Sequence, residues 1–202
     1  MDVEVGFKVI LIVLFSAFSV VRIQYHKAIN KAGYKTVIEE RGIYFIFLCL
    51  LIIYEVITLF IYLLYPELII WAVMAVPLWL RWTGALLGVL AVSLFIWIHR
   101  HLGKSFSVKL RIKEEQVLVI SGPYQWIRHP MYSAFYLLHI AALLLTANWF
   151  IGITWLAGLT IIIAMRVKRE EAMMVDRFGE QYVYYMKRTG RFIPVIKLNK
   201  DQ

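Results

Sequence analysis

Residues 131–165 read MYSAFYLLHIAALLLTANWFIGITWLAGLTIIIAM and contain no aspartate, glutamate, lysine or arginine. A bilayer core about 30 Å thick needs roughly 17–25 mostly apolar residues per helix, so this stretch can supply two spans, 131–147 and 149–165. Only Asn148 separates the two spans, which predicts a tight antiparallel helical hairpin. The hairpin indicates a membrane protein.

Three more stretches are long enough to cross a bilayer: residues 5–21, 43–65 and 82–98. The first is expected to be a retained span rather than a signal peptide, because acidic residues precede it and no small-residue cleavage pattern follows. Residues 68–80 are uncharged but too short to span, which predicts an interfacial or re-entrant segment. The predicted fold class is therefore an all-α integral membrane protein, a single domain (residues 1–202) with five transmembrane helices.

The composition supports this fold class. Of the 202 residues, 61% are hydrophobic and 17% are charged, whereas soluble domains are about 45–50% apolar and about 25% charged. Soluble globular and disordered proteins are excluded on this ground. The single cysteine, Cys49, excludes a disulfide framework, a cysteine-ligated zinc site and a redox dithiol.

The basic residues indicate how the chain is oriented in the membrane. Of the 22 lysines and arginines, 20 lie in residues 22–42, in residues 99–130 and from Arg166 onward, and only Lys8 and Arg81 lie elsewhere. Five spans place these three segments on one side, which the positive-inside rule assigns to the cytoplasm. The N-terminus is then outside, the C-terminus is cytosolic, and the net charge of +9 reflects membrane topology rather than nucleic-acid binding.

Polar residues are scarce in the spans, so the chemistry is expected in the catalytic half, about residues 99–196. Residues 121–132 read SGPYQWIRHPMY, in which Ser-Gly-Pro marks a turn. Pro130 can open the following helix, because its missing N–H is not needed there. Arg128 and His129 then lie at a helix N-terminus, a setting suited to a carboxylate or phosphate.

The second chemical segment continues the last span and reads RVKREE at residues 166–171. Arg166 and Glu170 are four residues apart and share a helix face. Opposite Arg128 and His129, they are suited to grip a zwitterion, with a basic group on its carboxylate and Glu170 on its ammonium. The aromatic side chains expected to wall a flat heterocycle follow: Phe178, Tyr182, Tyr184, Tyr185 and Phe192.

Together these motifs resemble the isoprenylcysteine carboxyl methyltransferases, over about residues 82–196. The matching pattern is SGPYxxxRHPxY at residues 121–132, RxxxEE at residues 166–171 and FGxxY at residues 178–182. Related phospholipid methyltransferases share the same C-terminal half. The resemblance implies a membrane-embedded transferase with S-adenosyl-L-methionine as cofactor and S-adenosyl-L-homocysteine as product. Its pocket would be formed by the ends of the last spans with the C-terminal helix and tail, and its reaction would be carboxyl methylation of the S-prenylated cysteine of a prenylated protein.

The resemblance also implies roles for individual residues. Arg166 matches the arginine that engages the substrate carboxylate, and is the expected catalytic residue. The residues expected to line the cofactor pocket are Gln116, Val117, Leu118, Val119, Tyr124, Arg128, His129, Pro130, Met131 and Glu170. No general base is required, because a carboxylate is already a nucleophile and a sulfonium is already an activated leaving group.

Three other functions stay open at this stage. A phospholipid headgroup N-methyltransferase uses the same donor, but its amine must be deprotonated, so its activity rises steeply with pH. A membrane sterol-type reductase also carries His-Pro near a span and binds NADPH. A non-catalytic membrane scaffold binds neither cofactor.

Several polar or small residues in the spans have structural as well as functional interpretations. Glu55 is either functional or paired with an arginine or tyrosine from a neighbouring helix. His139 and the GxxxG spacing of residues 84–88 are expected to serve helix packing. No metal site is expected, because His99 and His101 lack a third ligand at a suitable spacing.

Overall fold

The computed structural model describes residues 3–31, 36–39, 43–102, 111–113 and 117–195. The helices, in chain order, are α1 (Val3–Lys31), α2 (Ile43–Leu64), α3 (Leu78–Leu102), α4 (Pro130–Thr146), α5 (Trp149–Phe178) and α6 (Glu180–Arg188). Two short 3₁₀ helices also lie within the described residues, at Pro66–Ala72 and Gly122–Gln125. Strands β1 (Thr36–Glu39) and β2 (Arg111–Lys113) pair antiparallel.

Long apolar helices dominate the fold. Helices α1, α2, α3 and α5 each contain a segment long and apolar enough to cross a membrane, and α4 is a shorter apolar helix of 17 residues. The predicted helical membrane fold is confirmed. The β1–β2 pair was not predicted. In the chain, β1 follows α1 and β2 follows α3.

Small residues let α3 pack closely against its neighbours. A Cβ atom on Gly84 would lie 2.7 Å from the Cβ of Leu144 in α4, and one on Gly88 would lie 2.3 Å from Leu14 Cδ1 in α1. Both glycines therefore admit a neighbouring helix, which confirms the predicted packing role of the GxxxG spacing. Fully buried Ala91 and Ala142 belong to the same apolar core.

The turn between α4 and α5 is tight, as predicted. Ala147 adopts a left-handed conformation with φ 48°, and the Asn148 side chain accepts a hydrogen bond from Ile151 N at 3.1 Å, which caps α5. The same side chain donates to Ile69 O at 3.1 Å. Residues 68–80 thus comprise the end of the 3₁₀ helix packed on this turn, a connection at residues 73–77 and the beginning of α3.

Glu55 in α2 lies 3.1 Å from Nε2 of His139 in α4. The Nδ1 atom of His139 lies 2.8 Å from Phe135 O, so both ring nitrogens have partners. The hydrogen-bond partner of Glu55 is therefore this histidine, in place of the expected arginine or tyrosine. The contact joins α2 to α4.

Candidate active site

The start of α4 and the C-terminal residues 189–192, here called the strap, lie side by side. Backbone N–H groups of Arg128 and His129 donate to Gly190 O at 2.8 Å and to Arg191 O at 3.0 Å, and Gly190 N donates to Trp126 O at 3.0 Å. This is a short parallel pairing between Ile127 and Gly190. Because Pro130 is the first residue of α4 and disfavours the helical conformation in the residue before it, His129 lies outside the helix with φ −122° and ψ 59°, and its N–H is available for this pairing.

Side-chain hydrogen bonds hold α6 and the strap on both sides of the pairing. The Tyr185 hydroxyl donates to Tyr124 O at 2.6 Å, and Ser133 Oγ donates to Phe192 O at 2.5 Å. Thr189 Oγ1 donates back to Tyr185 O at 2.7 Å, which ends α6. The C-terminal helix and strap are therefore held against the entrance of α4.

Glu171 is the hub of the charged cluster beneath the strap. Its carboxylate accepts from Arg128 Nε at 3.1 Å, from Arg191 Nε at 3.1 Å and from Arg191 Nη2 at 2.5 Å. The Glu171 side chain is only 7% exposed. Arg128 Nη1 also donates to the carbonyls of Met186 and Thr189, so this arginine joins α4, α5 and α6.

Glu170 forms the second half of the cluster. It accepts from Arg166 Nε at 2.9 Å, one helical turn earlier on α5, and from the Tyr132 hydroxyl. His129 lies between the two glutamates, with Nδ1 3.5 Å from Glu170 Oε2 and Nε2 3.4 Å from Glu171 Oε1. Two neighbouring glutamates of α5 thus contact the same buried imidazole, which lies immediately before α4.

The surroundings of His129 favour its charged form. Burial by itself lowers the pKa of this imidazole, but the interactions with Glu170 and Glu171 outweigh burial and raise the pKa above its usual value. Burial raises the pKa of Tyr185 to about 12. At neutral pH the Tyr185 hydroxyl therefore stays uncharged and donates its hydrogen bond to Tyr124 O.

The raised pKa of His129 predicts how stability depends on pH. The stabilisation from the imidazolium is complete below the usual histidine pKa of about 6.5 and is lost as pH rises through the raised pKa of the folded protein. We expect the difference in thermal midpoint between the wild type and His129→Gln to be largest near pH 6 and to shrink towards pH 9. Thermal unfolding of both proteins in detergent across this range measures it, and a difference independent of pH would contradict the assignment.

Four residues singled out from the sequence lie together in this cluster: Arg128, His129, Arg166 and Glu170. The spacing of Arg166 and Glu170 correctly predicted a shared helix face, since they form an ion pair on α5. Pro130 was correctly predicted to open the following helix, and it is buried at the first position of α4.

The other residues that the resemblance assigns to the cofactor lie in different surroundings. Tyr124 is buried in the apolar core, and Val119 and Met131 are partly buried against it. Residues 117–120 have no regular secondary structure, with Val117 70% exposed and Leu118 half-buried. Gln116 lies outside the described residues.

The sequence analysis did not predict that Glu171 pairs with two arginines, or that Arg191 is one of them. Glu171 belongs to the RxxxEE motif, but only Glu170 is four residues from Arg166, so the spacing singled out Glu170 alone. Arg191 lies 20 residues further along the chain, and only the adjoining Gly190, which permits close backbone approach, signals a strap there. A Cβ atom on Gly190 would lie 1.7 Å from Ile193 O.

This contact makes Gly190→Ala a test of the strap. The clash involves backbone rather than a flexible side chain, so we expect the strap to move and the bonds of Arg128 and His129 to its carbonyls to weaken. The expected result is a lower thermal midpoint and at least tenfold weaker binding of S-adenosylhomocysteine, measured by calorimetric titration in detergent. Gly158→Ala is the matched control, because its Cβ would meet only the end of Leu51 at 2.5 Å. Equal behaviour of the two variants would contradict the strap's importance.

The part of the chain that contains Arg128, His129, Glu170 and Glu171 is similar to proteins of a known family. Residues 84–176 match the family model described as the isoprenylcysteine carboxyl methyltransferase family. The human protein-S-isoprenylcysteine O-methyltransferase is 29% identical over 133 residues, which are 65% of this chain and 47% of that protein. The B form from Arabidopsis thaliana is 32% identical over 96 residues, which are 46% of this chain and 49% of that protein.

A solved structure, that of the eukaryotic intramembrane Ras methyltransferase named isoprenylcysteine carboxyl methyltransferase, superposes with a TM-score of 0.54 at 25% identity. The superposition covers 79% of this chain and 55% of that chain. This chain spans about half the length of the relatives it matches. The family resemblance seen in the motifs is confirmed, and the matched region contains Arg128, His129 and both glutamates.

Proposed function

We propose that this chain, whose residues 84–176 match the isoprenylcysteine carboxyl methyltransferase family, is an S-adenosylmethionine-dependent methyltransferase. Its acceptor is the terminal carboxylate of a membrane-embedded S-prenylated cysteine, which becomes a methyl ester. The observation that carries the proposal is the buried meeting of Arg128 and His129 with Glu170 and Glu171, at the end of a bundle of apolar helices.

The proposed topology has five spans, with α4 as the shortest. Its 17 apolar residues are at the lower limit for crossing a bilayer core, and its antiparallel turn into α5 supports a full crossing. The N-terminus then lies outside and the charged cluster in the cytosol, because the basic segments favour that side. A site at this boundary meets a water-soluble donor on one side and a lipid-borne acceptor on the other.

The charged residues fit a zwitterionic cofactor. Arg128 and His129 are suited to the carboxylate of its methionyl end, and Glu170 is suited to the ammonium. His129 Nε2 is 3.4 Å from its carboxylate partner, longer than a well-formed hydrogen bond, so it retains capacity for a stronger acceptor. The pocket-lining roles of Tyr124, Gln116 and residues 117–119 are part of the proposal and rest on the family pattern.

The protein's task in this reaction is positioning. S-adenosylmethionine supplies a methyl group on an activated sulfonium, so an oxygen–carbon bond forms as the carbon–sulfur bond breaks and S-adenosylhomocysteine is released. Arg166 orients the acceptor carboxylate, and the ion pair with Glu170 at 2.9 Å fixes the direction of its guanidinium. Apolar helices around the cluster exclude water and let the prenyl chain approach from the lipid.

A methyl-transfer assay with two acceptor classes tests the proposal. Purified protein in liposomes is given a donor labelled in the methyl group, with either an S-prenylated N-acylcysteine or phosphatidylethanolamine. We expect base-labile methyl esters from the first acceptor. At saturating donor the rate should be nearly independent of pH between about pH 6 and the raised pKa of His129, because the acceptor carboxylate is already ionised. Labelled lipid amine with a steep rise in rate with pH would assign headgroup N-methylation, and NADPH-dependent reduction of a sterol would assign the reductase.

A further inference from the structure

Arg22 of α1 lies outside the residues that match the family and is not used in the reaction described above. Its guanidinium lies over the ring of Phe135 in α4, 5.8 Å from the ring centroid, and the residue is half-buried. Among the described residues, it makes no hydrogen bond and no ion pair. By contrast, Arg81, Arg128 and Arg166 each hold a carboxylate.

A half-buried arginine with no ion pair or hydrogen bond among the described residues is suited to bind an anion. A guanidinium has five N–H donors, and contact with an aromatic ring contributes only about 0.5–2 kcal/mol. Phe135 belongs to the bundle interior, since it packs against both the large apolar core and the smaller cluster around Tyr132. The Arg22 guanidinium therefore lies towards the helices that carry the charged site.

Arg22 and Arg166 lie towards the same end of the bundle. Phe15 of α1 packs edge-on against Trp155 of α5, and Arg22 and Arg166 follow these two residues by 7 and 11 positions, about 11 Å and about 17 Å along their helices. The two arginines are close enough for their charges to interact, and Glu55 is within the same range. Glu55 offsets part of the repulsion between the two arginines, but its carboxylate is already held by His139 at 3.1 Å, so a further anion between the two guanidinium groups would stabilise both.

We propose that Arg22 supplies a second guanidinium, opposite Arg166, that binds the carboxylate of the lipophilic acceptor. The inference rests on the proposed function and deepens it. The preferred acceptor carries a free carboxylate at the membrane boundary, and the site discriminates against a neutral carboxamide of the same shape. Arg166 Nε donates to Glu170, and the proposed carboxylate binds between the guanidinium groups of Arg166 and Arg22.

The test separates acceptor recognition from cofactor binding. Arg22→Gln, Arg22→Lys and the control Lys27→Gln, on the exposed side of the same helix, are compared with the wild type in liposomes. We measure kcat and KM for an S-prenylated N-acylcysteine, the affinity for S-adenosylhomocysteine, and inhibition by the carboxamide analogue relative to binding of the acid. For Arg22→Gln we expect KM to rise at least tenfold, an unchanged affinity for S-adenosylhomocysteine, and loss of the preference for acid over amide.

Arg22→Lys retains the charge and is expected to restore part of that preference, whereas Lys27→Gln leaves it intact. The acid-to-amide ratio is measured within one preparation, so a partly unfolded variant does not alter it. An unchanged ratio in Arg22→Gln, or an equal change in Lys27→Gln, would overturn the inference while methyl transfer by the wild type still supported the proposed function. Acid preference that depends on Arg22, without methyl transfer by the wild type, would retain the anion site and reject the methyltransferase.

Discussion

Replacing Arg166 by alanine is expected to lower kcat for methyl transfer on the order of 10²–10³-fold, the usual loss when one preorganised donor is removed. Binding of S-adenosylhomocysteine should change less than threefold, because Glu170 keeps its interaction with His129, whose Nδ1 lies 3.5 Å away. Single-turnover transfer to an S-prenylated N-acylcysteine and calorimetric titration separate the two effects.

Lys168→Ala is the matched control for this prediction. Lys168 lies two residues along α5 and is exposed, so its loss removes the same charge without touching the cluster. We expect wild-type kcat from this control. Equal loss of cofactor binding and turnover in Arg166→Ala would show that Arg166 supports the pocket rather than the acceptor.

Replacing Glu171 by glutamine is expected to lower the free energy of unfolding by about 3 kcal/mol, because breaking a buried ion pair leaves uncompensated charge. The amide keeps the shape of the side chain but leaves Arg128, which is 10% exposed, with no described carboxylate partner. Arg191 is 42% exposed and can be hydrated, so its contribution is smaller. The strap loses its anchor, and we expect binding of S-adenosylhomocysteine to weaken at least a hundredfold.

Glu180→Gln is the matched control for Glu171→Gln. Glu180 is exposed in the first turn of α6, and its substitution should leave both the thermal midpoint and cofactor affinity near wild type. Chemical denaturation in mixed micelles and titration calorimetry measure the two quantities. A Glu171→Gln protein as stable as the control would show that the hub is dispensable.

Local patterns in the sequence predicted the parts of the site that depend on neighbouring residues. The position of Pro130 predicted the start of α4, Asn148 predicted the turn between α4 and α5, and the spacing of Arg166 and Glu170 predicted their shared face. Each depends on backbone geometry within about one helical turn. The motif resemblance then indicated that the two segments meet.

Contacts between distant residues were not predictable in the same way. Arg191 pairs with Glu171, and Glu55 pairs with His139, 84 residues away. Such pairs depend on how helices rotate and tilt when they pack, and hydrophobic periodicity does not specify that rotation to a single residue. Arg22 was counted only as a topology charge for the same reason, because its position over Phe135 depends on the packing of α1 against α4.

Titration of the purified protein with S-adenosylhomocysteine tests most directly whether the segments around His129 and Glu170 form one cofactor site. We expect saturable binding at one site per chain, no competition by NADPH, and at least a hundredfold weaker binding after Glu170→Ala. Wild-type affinity in Glu170→Ala, or no detectable binding by the wild type, would contradict the account.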